Sequence, residues 1–183
     1  KLHDTLDDRI KIWQNKLPNS SKNPPTLQQI KVAIAAADAM AHLHDHQIVF
    51  RDLKPANVGF DGNGVLKLFD FGFAVGLDKV EGGVLNDRAG TPRYMAPEVG
   101  LDMGYGLPAD VYSFSILLWE IFALKKPFAK IKCAAEFNTA VFQKGERPKV
   151  GKNWPEELKG VLGDGWSIHS TQRPTMKDYQ KIL

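Results

Sequence analysis

Residues 50–57 read Phe50-Arg51-Asp52-Leu53-Lys54-Pro55-Ala56-Asn57, and a second polar stretch, Asp70-Phe71-Gly72, follows further along the chain. Each stretch comes at the end of a short β-prone run, at residues 48–50 and 65–69. Between them, residues 58–60 are also β-prone, and Asp61-Gly62-Asn63-Gly64 is typical of a tight hairpin turn. The sequence therefore predicts a β-hairpin that brings the two polar stretches side by side.

Three of these polar residues have the chemistry of a metal–phosphate centre. Asp52 is a loop carboxylate, Asn57 is an amide five residues later, and Asp70 ends the next strand. Mg²⁺ prefers hard oxygen donors and keeps several waters. Phosphoryl transfer from ATP needs such ligands and one carboxylate at the acceptor hydroxyl. The alternative is that Asp52 and Asn57 only satisfy backbone groups in a loop.

Three motifs in this order make a family resemblance specific. Residues 51–57 resemble the catalytic loop of protein kinases, and Asp70-Phe71-Gly72 resembles their metal-binding triplet. Ala96-Pro97-Glu98 is similar to the end of their activation segment. The resemblance covers essentially the whole chain. It implies that residues 1–183 form the mainly α C-terminal lobe of a protein kinase domain, a helical bundle with a small antiparallel β-hairpin that carries the catalytic and metal loops.

The resemblance also implies roles for individual residues. Asp52 would orient the acceptor hydroxyl and accept its proton, while Lys54 would offset charge on the transferred phosphoryl group. Asn57 and Asp70 would hold Mg²⁺. The residues expected to contact ATP are Lys54, Asn57, Gly59 and Asp70. The residues expected to shape the site for the protein substrate are Thr91, near Asp52, and Tyr94.

Other residues are expected to support the site. In the family the counterpart of Asp110 holds the backbone of the catalytic loop, although an acidic residue near a helix N-terminus is common without such a role. Glu98 and Arg173 are expected to form a buried structural pair. Lys54 in residues 53–55 indicates serine and threonine acceptors, and residues 90–95 agree. Residues 110–114 and 118–121 resemble the tyrosine-kinase-like branch.

The chain departs from the family pattern in lacking the motifs of the N-terminal lobe. No Gly-x-Gly-x-x-Gly precedes residue 51, and the strand lysine and helix glutamate of the N-terminal lobe have no counterpart. We therefore expect the N-terminal lobe to be a missing partner and the isolated chain to have negligible activity.

Phe50 replaces the usual His or Tyr, which keeps stacking toward Phe71. Gly59 replaces a bulky aliphatic residue, which predicts a thinner floor beneath adenine.

The activation segment is unusual in its lack of hydroxyl groups. Between Phe73 and Gly90 there is no Ser, Thr or Tyr. Kinases with an Arg at the position of Arg51 often need a phosphate to engage it. We expect either that one of three acidic residues pairs with Arg51 or that no loop phosphate is needed. The acidic candidates are Asp78, Glu81 and Asp87. The alternative is an Arg51 that is solvated or bonded to backbone.

Hydrophobic periodicity predicts the helices. Helical spacing of apolar residues indicates helices at 4–17, 27–46, 109–124, 133–144, 155–163 and 174–183. The helix at 109–124 is apolar on most sides and is expected to be buried all round. A loop is predicted at residues 18–25, and a long functional loop at residues 70–107.

Composition limits the classes of protein. The 183 residues carry 24 cationic and 21 anionic side chains, a balance that does not indicate a nucleic-acid partner. Cys133 is the single cysteine, so an intrachain disulfide is impossible, and we predict a cytoplasmic, reduced location. The sequence contains no run of 18 apolar residues, so it predicts no membrane-spanning helix.

Two alternatives concern function as a whole. One is a pseudokinase-like binding or scaffold module that keeps the fold without turnover. The other is a small-molecule kinase, which residues 96–98 and Arg173 disfavour. His42 and His46 have a spacing compatible with zinc, but no Glu or Cys joins them, and we expect no metal there.

Overall fold

The structure is a computed structural model that describes residues 2–17 and 23–183. Its fold is mainly helical, as expected. The α-helices are α1 (Leu6–Lys16), α2 (Leu27–Asp45), α3 (Pro97–Gly100), α4 (Leu107–Ala123), α5 (Ala134–Phe137), α6 (Glu156–Gly165) and α7 (Met176–Ile182). The strands are β1 (Leu2–Thr5), β2 (Ile48–Val49), β3 (Val58–Asp61), β4 (Leu66–Leu68) and β5 (Val75–Gly76). No helix in these ranges is long and apolar enough to cross a membrane.

Helix α4 is the centre of the hydrophobic core. All of its residues from Ala109 to Ala123 are buried, including Asp110. This confirms the prediction of a helix that is buried all round, because a helix that is apolar on most sides needs neighbours on each of them. Helices α2 and α6 pack against it, and α7 packs on α2 and α6. The central helix can therefore hold groups from several segments in fixed positions.

Threonine caps set the starts of three helices. In α1, α2 and α7 the cap threonine accepts a hydrogen bond from the third helical amide, and the side chain of that third residue accepts one from the threonine amide. Such a capping box satisfies two amides that the helix leaves free. The first cap is Thr5, so the prediction of a helix from residue 4 was wrong by two residues.

The predicted hairpin is present, but it belongs to a larger sheet. Strands β3 and β4 pair antiparallel with Val58 opposite Leu68. In the turn, the Asp61 carboxylate accepts hydrogen bonds from the amides of Asn63 and Val65. Strand β1 then pairs with the free edge of β3, which gives the order β1-β3-β4. The predicted hairpin is therefore confirmed, and β1 adds a third strand because the edge of β3 offers backbone groups that β1 satisfies.

The predicted loop at 70–107 contains short regular elements. Strand β5 pairs with β2, an isolated bridge joins Leu85 to Tyr105, and α3 lies near its end. Beyond α4, the predicted helix at 133–144 splits into α5 and a π-helix over Asn138–Gln143. Most of the predicted loop at 18–25 lies outside the described residues.

Glu98 and Arg173 form a buried ion pair. Both terminal nitrogens of Arg173 donate to the Glu98 carboxylate, at 2.6 and 2.7 Å. Arg173 also donates to the carbonyl oxygens of Pro108 and Ser167. Its side chain is fully buried. The predicted structural pair is confirmed, and it joins α3 to the residues just before α7, while the other two bonds of Arg173 reach the first turn of α4 and the residues just after α6.

Replacing Arg173 by Ala is expected to destabilise the protein strongly. It leaves the Glu98 carboxylate buried without a partner, which costs about 3–5 kcal/mol. Lys177→Ala is the matched control, because its ion pair with Asp45 is exposed on both sides and its loss costs about 1 kcal/mol or less. Urea unfolding of both variants measures the difference. Equal losses in the two variants would contradict a special role for the buried pair.

Candidate active site

The loop at residues 50–57 is anchored by one buried carboxylate. Asp110 accepts hydrogen bonds from the backbone amides of Phe50 at 2.7 Å and Arg51 at 2.9 Å. Its Oδ2 also lies 3.2 Å from Nε2 of His44. Asp110 has no exposed surface. The expectation that Asp110 holds the loop backbone is confirmed, whereas no pattern in the sequence indicated His44 as the third partner.

Asp52 lies at the centre of a cluster of polar side chains. Its Oδ1 accepts from the Thr91 hydroxyl at 2.6 Å, and its Oδ2 accepts from Lys54 at 2.7 Å and Asn57 at 3.0 Å. Lys54 also donates to the Thr91 hydroxyl at 3.0 Å. Asp52 is only 4% exposed. The structure thus brings together four residues singled out in the sequence, and it holds the carboxylate in one orientation.

A close backbone approach brings Thr91 to Asp52. The preceding residue, Gly90, has a φ of +105°, and a Cβ there would lie 2.3 Å from the carbonyl oxygen of Arg51. An L-residue could not adopt this position without a shift of the backbone. Glycine is therefore required where the segment before Thr91 crosses the loop that carries Asp52.

Asp70 lies next to this cluster in a strained conformation. Its φ of +62° places it in the left-handed region, and a 3-10 turn over Phe71–Phe73 follows. The amide of Phe69 donates to the carbonyl of Asn57 at 3.1 Å, which joins the two loops. Phe71 packs its edge on Phe50, with ring centroids 5.2 Å apart, as expected. Left-handed backbone at a non-glycine residue is commonly found at functional sites.

The donor groups of Asn57 and Asp70 fit a magnesium ion. The Asn57 amide nitrogen donates to the backbone carbonyl and the carboxylate of Asp52, so its Oδ1 remains the atom that can act as a ligand. Asp70 has an exposed carboxylate. Mg²⁺ typically takes one or two protein oxygen ligands and completes its shell with water and substrate phosphates. The described residues hold no group of three or more His, Cys, Asp or Glu side chains arranged around a metal position.

Gly59 lies against side chains from two other elements. A Cβ at this position would be 2.8 Å from the Leu2 side chain and 3.1 Å from the Phe69 ring. Leu2 is 39% exposed. The space that a larger residue at 59 would take is therefore occupied by Leu2 of β1. The sequence prediction of a thinner floor did not include this neighbour.

Tyr94 points into the protein and away from the Asp52 cluster. Its hydroxyl donates to Glu120 at 2.6 Å and accepts from Lys126 at 3.1 Å. The side chain is buried, and burial together with the nearby Glu120 carboxylate raises the pKa of Tyr94 well above its usual value. Burial likewise raises the pKa of the Glu120 carboxyl, although the hydrogen bond from Tyr94 opposes this. Tyr94 thus joins the segment that follows Thr91 to α4 through its hydrogen bond to Glu120.

Asp87 is the acidic residue that pairs with Arg51. One guanidinium nitrogen of Arg51 donates to both Asp87 oxygens, at 2.7 and 2.8 Å, and the Tyr105 hydroxyl donates to the Asp87 carbonyl. Nε of Arg51 donates to the carbonyl of Phe73. Partial burial opposes ionisation of Asp87, but the contact with Arg51 outweighs it and lowers the pKa of the Asp87 carboxyl. Arg51 therefore links the segments at 73 and 87 to the loop that carries Asp52.

The histidines at the end of α2 have structural contacts. The rings of His42 and His46 lie 4.5 Å apart, and Nδ1 of His46 lies 2.8 Å from the His42 carbonyl. His44 contacts Asp110, as described above. We find no zinc-like cluster among them or elsewhere in residues 2–17 and 23–183.

Comparisons with known proteins show the family of the chain. The family model described as "Protein kinase domain" matches residues 4–182. The chain is 41% identical over 159 residues to serine/threonine-protein kinase STY46 of Arabidopsis thaliana, covering 87% of this chain and 26% of that protein. It is 37% identical over 160 residues to a putative serine/threonine-protein kinase/receptor, R826, of Acanthamoeba polyphaga mimivirus, covering 85% and 9%.

A third relative carries a different description. The dual specificity protein kinase shkB of Dictyostelium discoideum is 36% identical over 143 residues, covering 78% of this chain and 22% of that protein.

This chain belongs to the protein kinase family. It spans about a quarter or less of the length of each of these relatives.

Replacing Asp87 by Asn is expected to loosen the segment at 73–90. The variant loses the charge that faces Arg51, and an exposed ion pair contributes up to about 1 kcal/mol, so protease cleavage within the segment should accelerate by about two- to fivefold. Asp78→Asn is the matched control, because Asp78 is exposed in the same segment and has no ion pair to Arg51 in the described residues. Limited proteolysis at low ionic strength measures both variants. Unchanged cleavage in Asp87→Asn would show that the pair does not hold the segment.

Proposed function

We propose that the protein containing this chain transfers the γ-phosphate of Mg-ATP to serine and threonine hydroxyls of proteins. The observation that carries the proposal is the Asp52 carboxylate, which Thr91, Lys54 and Asn57 orient by hydrogen bonds. Relatives whose printed names include serine/threonine-protein kinase support the choice of acceptor.

The residues of this chain have distinct parts in the proposed reaction. Asp52 accepts the proton of the acceptor hydroxyl as that oxygen bonds to phosphorus and the bond to the ADP oxygen breaks. Lys54 brings a positive charge beside Asp52 and Thr91, where the phosphoryl group would pass. Asn57 and Asp70 would hold Mg²⁺, and Mg-ATP when bound supplies the transferable group. Thr91 keeps the carboxylate aimed at the acceptor.

The proposal includes a second lobe. Apolar side chains of β1, of the β3–β4 hairpin and of the segment after Asp70 are exposed: Leu2 39%, Val65 49%, Phe71 48% and Phe73 45%. We propose that residues 1–183 are the C-terminal lobe, that an N-terminal lobe covers this surface, and that the 183 residues by themselves have negligible activity. Assignment to the tyrosine-kinase-like branch and a cytoplasmic location remain predictions from the sequence.

Replacing Asp52 by Asn in the full-length protein is expected to abolish most of its activity. The Asn side chain keeps the size of Asp but cannot accept the hydroxyl proton, which lowers kcat by about 10²- to 10⁴-fold. Asp164→Asn, an exposed position on α6, is the control and should match the wild type. Incorporation of labelled phosphate into Ser, Thr and Tyr acceptor peptides measures the rate and the acceptor residue.

The outcomes separate the enzyme from a binding module. Full activity of Asp52→Asn would remove Asp52 from the reaction. A wild-type protein that binds Mg-ATP or a protein partner but transfers no phosphate would favour the pseudokinase-like scaffold. Phosphate on tyrosine alone would contradict the serine and threonine acceptors.

A further inference from the structure

A pocket of about 340 Å³ lies where three helices meet. It is lined by the C-terminal end of α2, the start of α4 and the residues that lead into α7. Among the described residues, its lining includes neither the Asp52 cluster nor the loop at residues 50–57. The pocket is therefore separate from the candidate active site.

The lining of the pocket is mainly apolar. Its apolar members are Ala41, Leu107, Pro108, Val111, Pro174 and Met176. Two of its polar side chains are already bonded within the protein, since Arg173 donates to Glu98 and the Thr175 hydroxyl donates to Asp178. A ligand thus meets apolar surface rather than polar atoms that need a new partner.

An ion pair lies at the edge of the pocket. Nζ of Lys177 is 2.7 Å from Oδ1 of Asp45, and the two side chains are 61% and 50% exposed. Because both residues line the pocket, its edge carries one charge of each sign. A charged ligand would be attracted by one partner, repelled by the other, and deprived of water on entry. The edge therefore favours an uncharged ligand.

His44 joins the pocket to the candidate active site. Its side chain lines the pocket and is 10% exposed. Its Nε2 lies 3.2 Å from Oδ2 of Asp110, which accepts hydrogen bonds from the amides of Phe50 and Arg51. A movement of the His44 ring would thus change both the wall of the pocket and the anchor of the loop.

We propose that this pocket binds a small uncharged molecule of about two fused rings, and that the bound molecule holds His44 against Asp110 and stabilises the loop at residues 50–57. A preformed, mainly apolar concavity is typical of small-molecule sites. The size follows from the volume, because an apolar cavity of about 150 Å³ already accepts benzene. The inference goes beyond the proposed function, since it requires no phosphate transfer.

Stabilisation of the loop follows from linkage. A ligand that binds only the ordered arrangement of α2, α4 and α7 makes any opening that disturbs this arrangement less frequent, by a factor of 1 + [L]/Kd. The effect reaches Phe50 and Arg51 only if their opening also moves Asp110 or His44. The contacts of Asp110 and His44 supply that condition.

Binding of 2-naphthol to the full-length protein tests the site first. Calorimetry is done at neutral pH with saturating Mg-ADP, which occupies a nucleotide site. The matched probes 2-naphthoate and 2-naphthylmethylammonium should bind at least about fivefold more weakly, because each carries a charge. Ala41→Leu should weaken 2-naphthol binding at least about tenfold, because the larger side chain takes up space in the pocket. Ala135→Leu, exposed on α5, is the control and should bind as the wild type.

Amide hydrogen exchange then tests the link to the loop. At a 2-naphthol concentration of about ten times its Kd, exchange at Phe50 and Arg51 should slow by about five- to tenfold. Amides of β3 and β4, which do not line the pocket, should be unchanged. His44→Phe keeps a ring in the wall but loses the contact with Asp110. It should bind 2-naphthol within about twofold of the wild type and lose most of the protection at the loop.

Absence of 2-naphthol binding, or binding that Ala41→Leu leaves unchanged, would overturn the pocket as the site. Tighter binding of either charged probe would overturn the choice of an uncharged ligand. Slowing that is equal at the loop and in β3 and β4, or that persists in full in His44→Phe, would overturn the link through His44.

Discussion

The arrangement of the site depends on the buried carboxylate of Asp110. A carboxylate without solvent contact is strongly unfavourable unless hydrogen bonds replace the lost water. Asp110 obtains them from the amides of Phe50 and Arg51 and from His44. The requirement acts in both directions, because the amides of a loop also need an acceptor when they are buried. The loop that carries Asp52 is thus fixed to α4, which is the most deeply buried element of the fold.

From this anchor, contacts extend to each part of the site. Arg51 has a left-handed backbone, its carbonyl faces Gly90, and its side chain reaches Asp87 and Phe73. A non-glycine residue keeps such a conformation only where its surroundings enforce it. The segment before Thr91 and the segment after Asp70 therefore meet the same residue. Displacing the loop at Arg51 would move the acceptor side and the metal side of the site together.

Sequence reasoning predicted which residues meet at the site and some, but not all, of the contacts that support them. Asp52, Lys54, Asn57 and Thr91 were predicted because their types and spacing are specific, and the structure brings them together. The choice of Asp87 over Asp78 and Glu81 could not be predicted, since it depends on how the segment folds against Tyr105. The pairing of β1 with β3 and the inward direction of Tyr94 also depend on distant residues. Neither leaves a periodic pattern in the sequence.

Amide hydrogen exchange at Phe50 and Arg51 tests the central claim most directly. In Asp110→Asn, the amide group keeps one oxygen acceptor and turns an NH₂ toward a backbone N–H. We expect exchange at one or both amides to accelerate by about tenfold or more, because a lost buried hydrogen bond costs about 1–3 kcal/mol, while amides in the middle of α4 keep their protection. Unchanged protection at both Phe50 and Arg51 would contradict the account, since the loop would then be held by something other than Asp110.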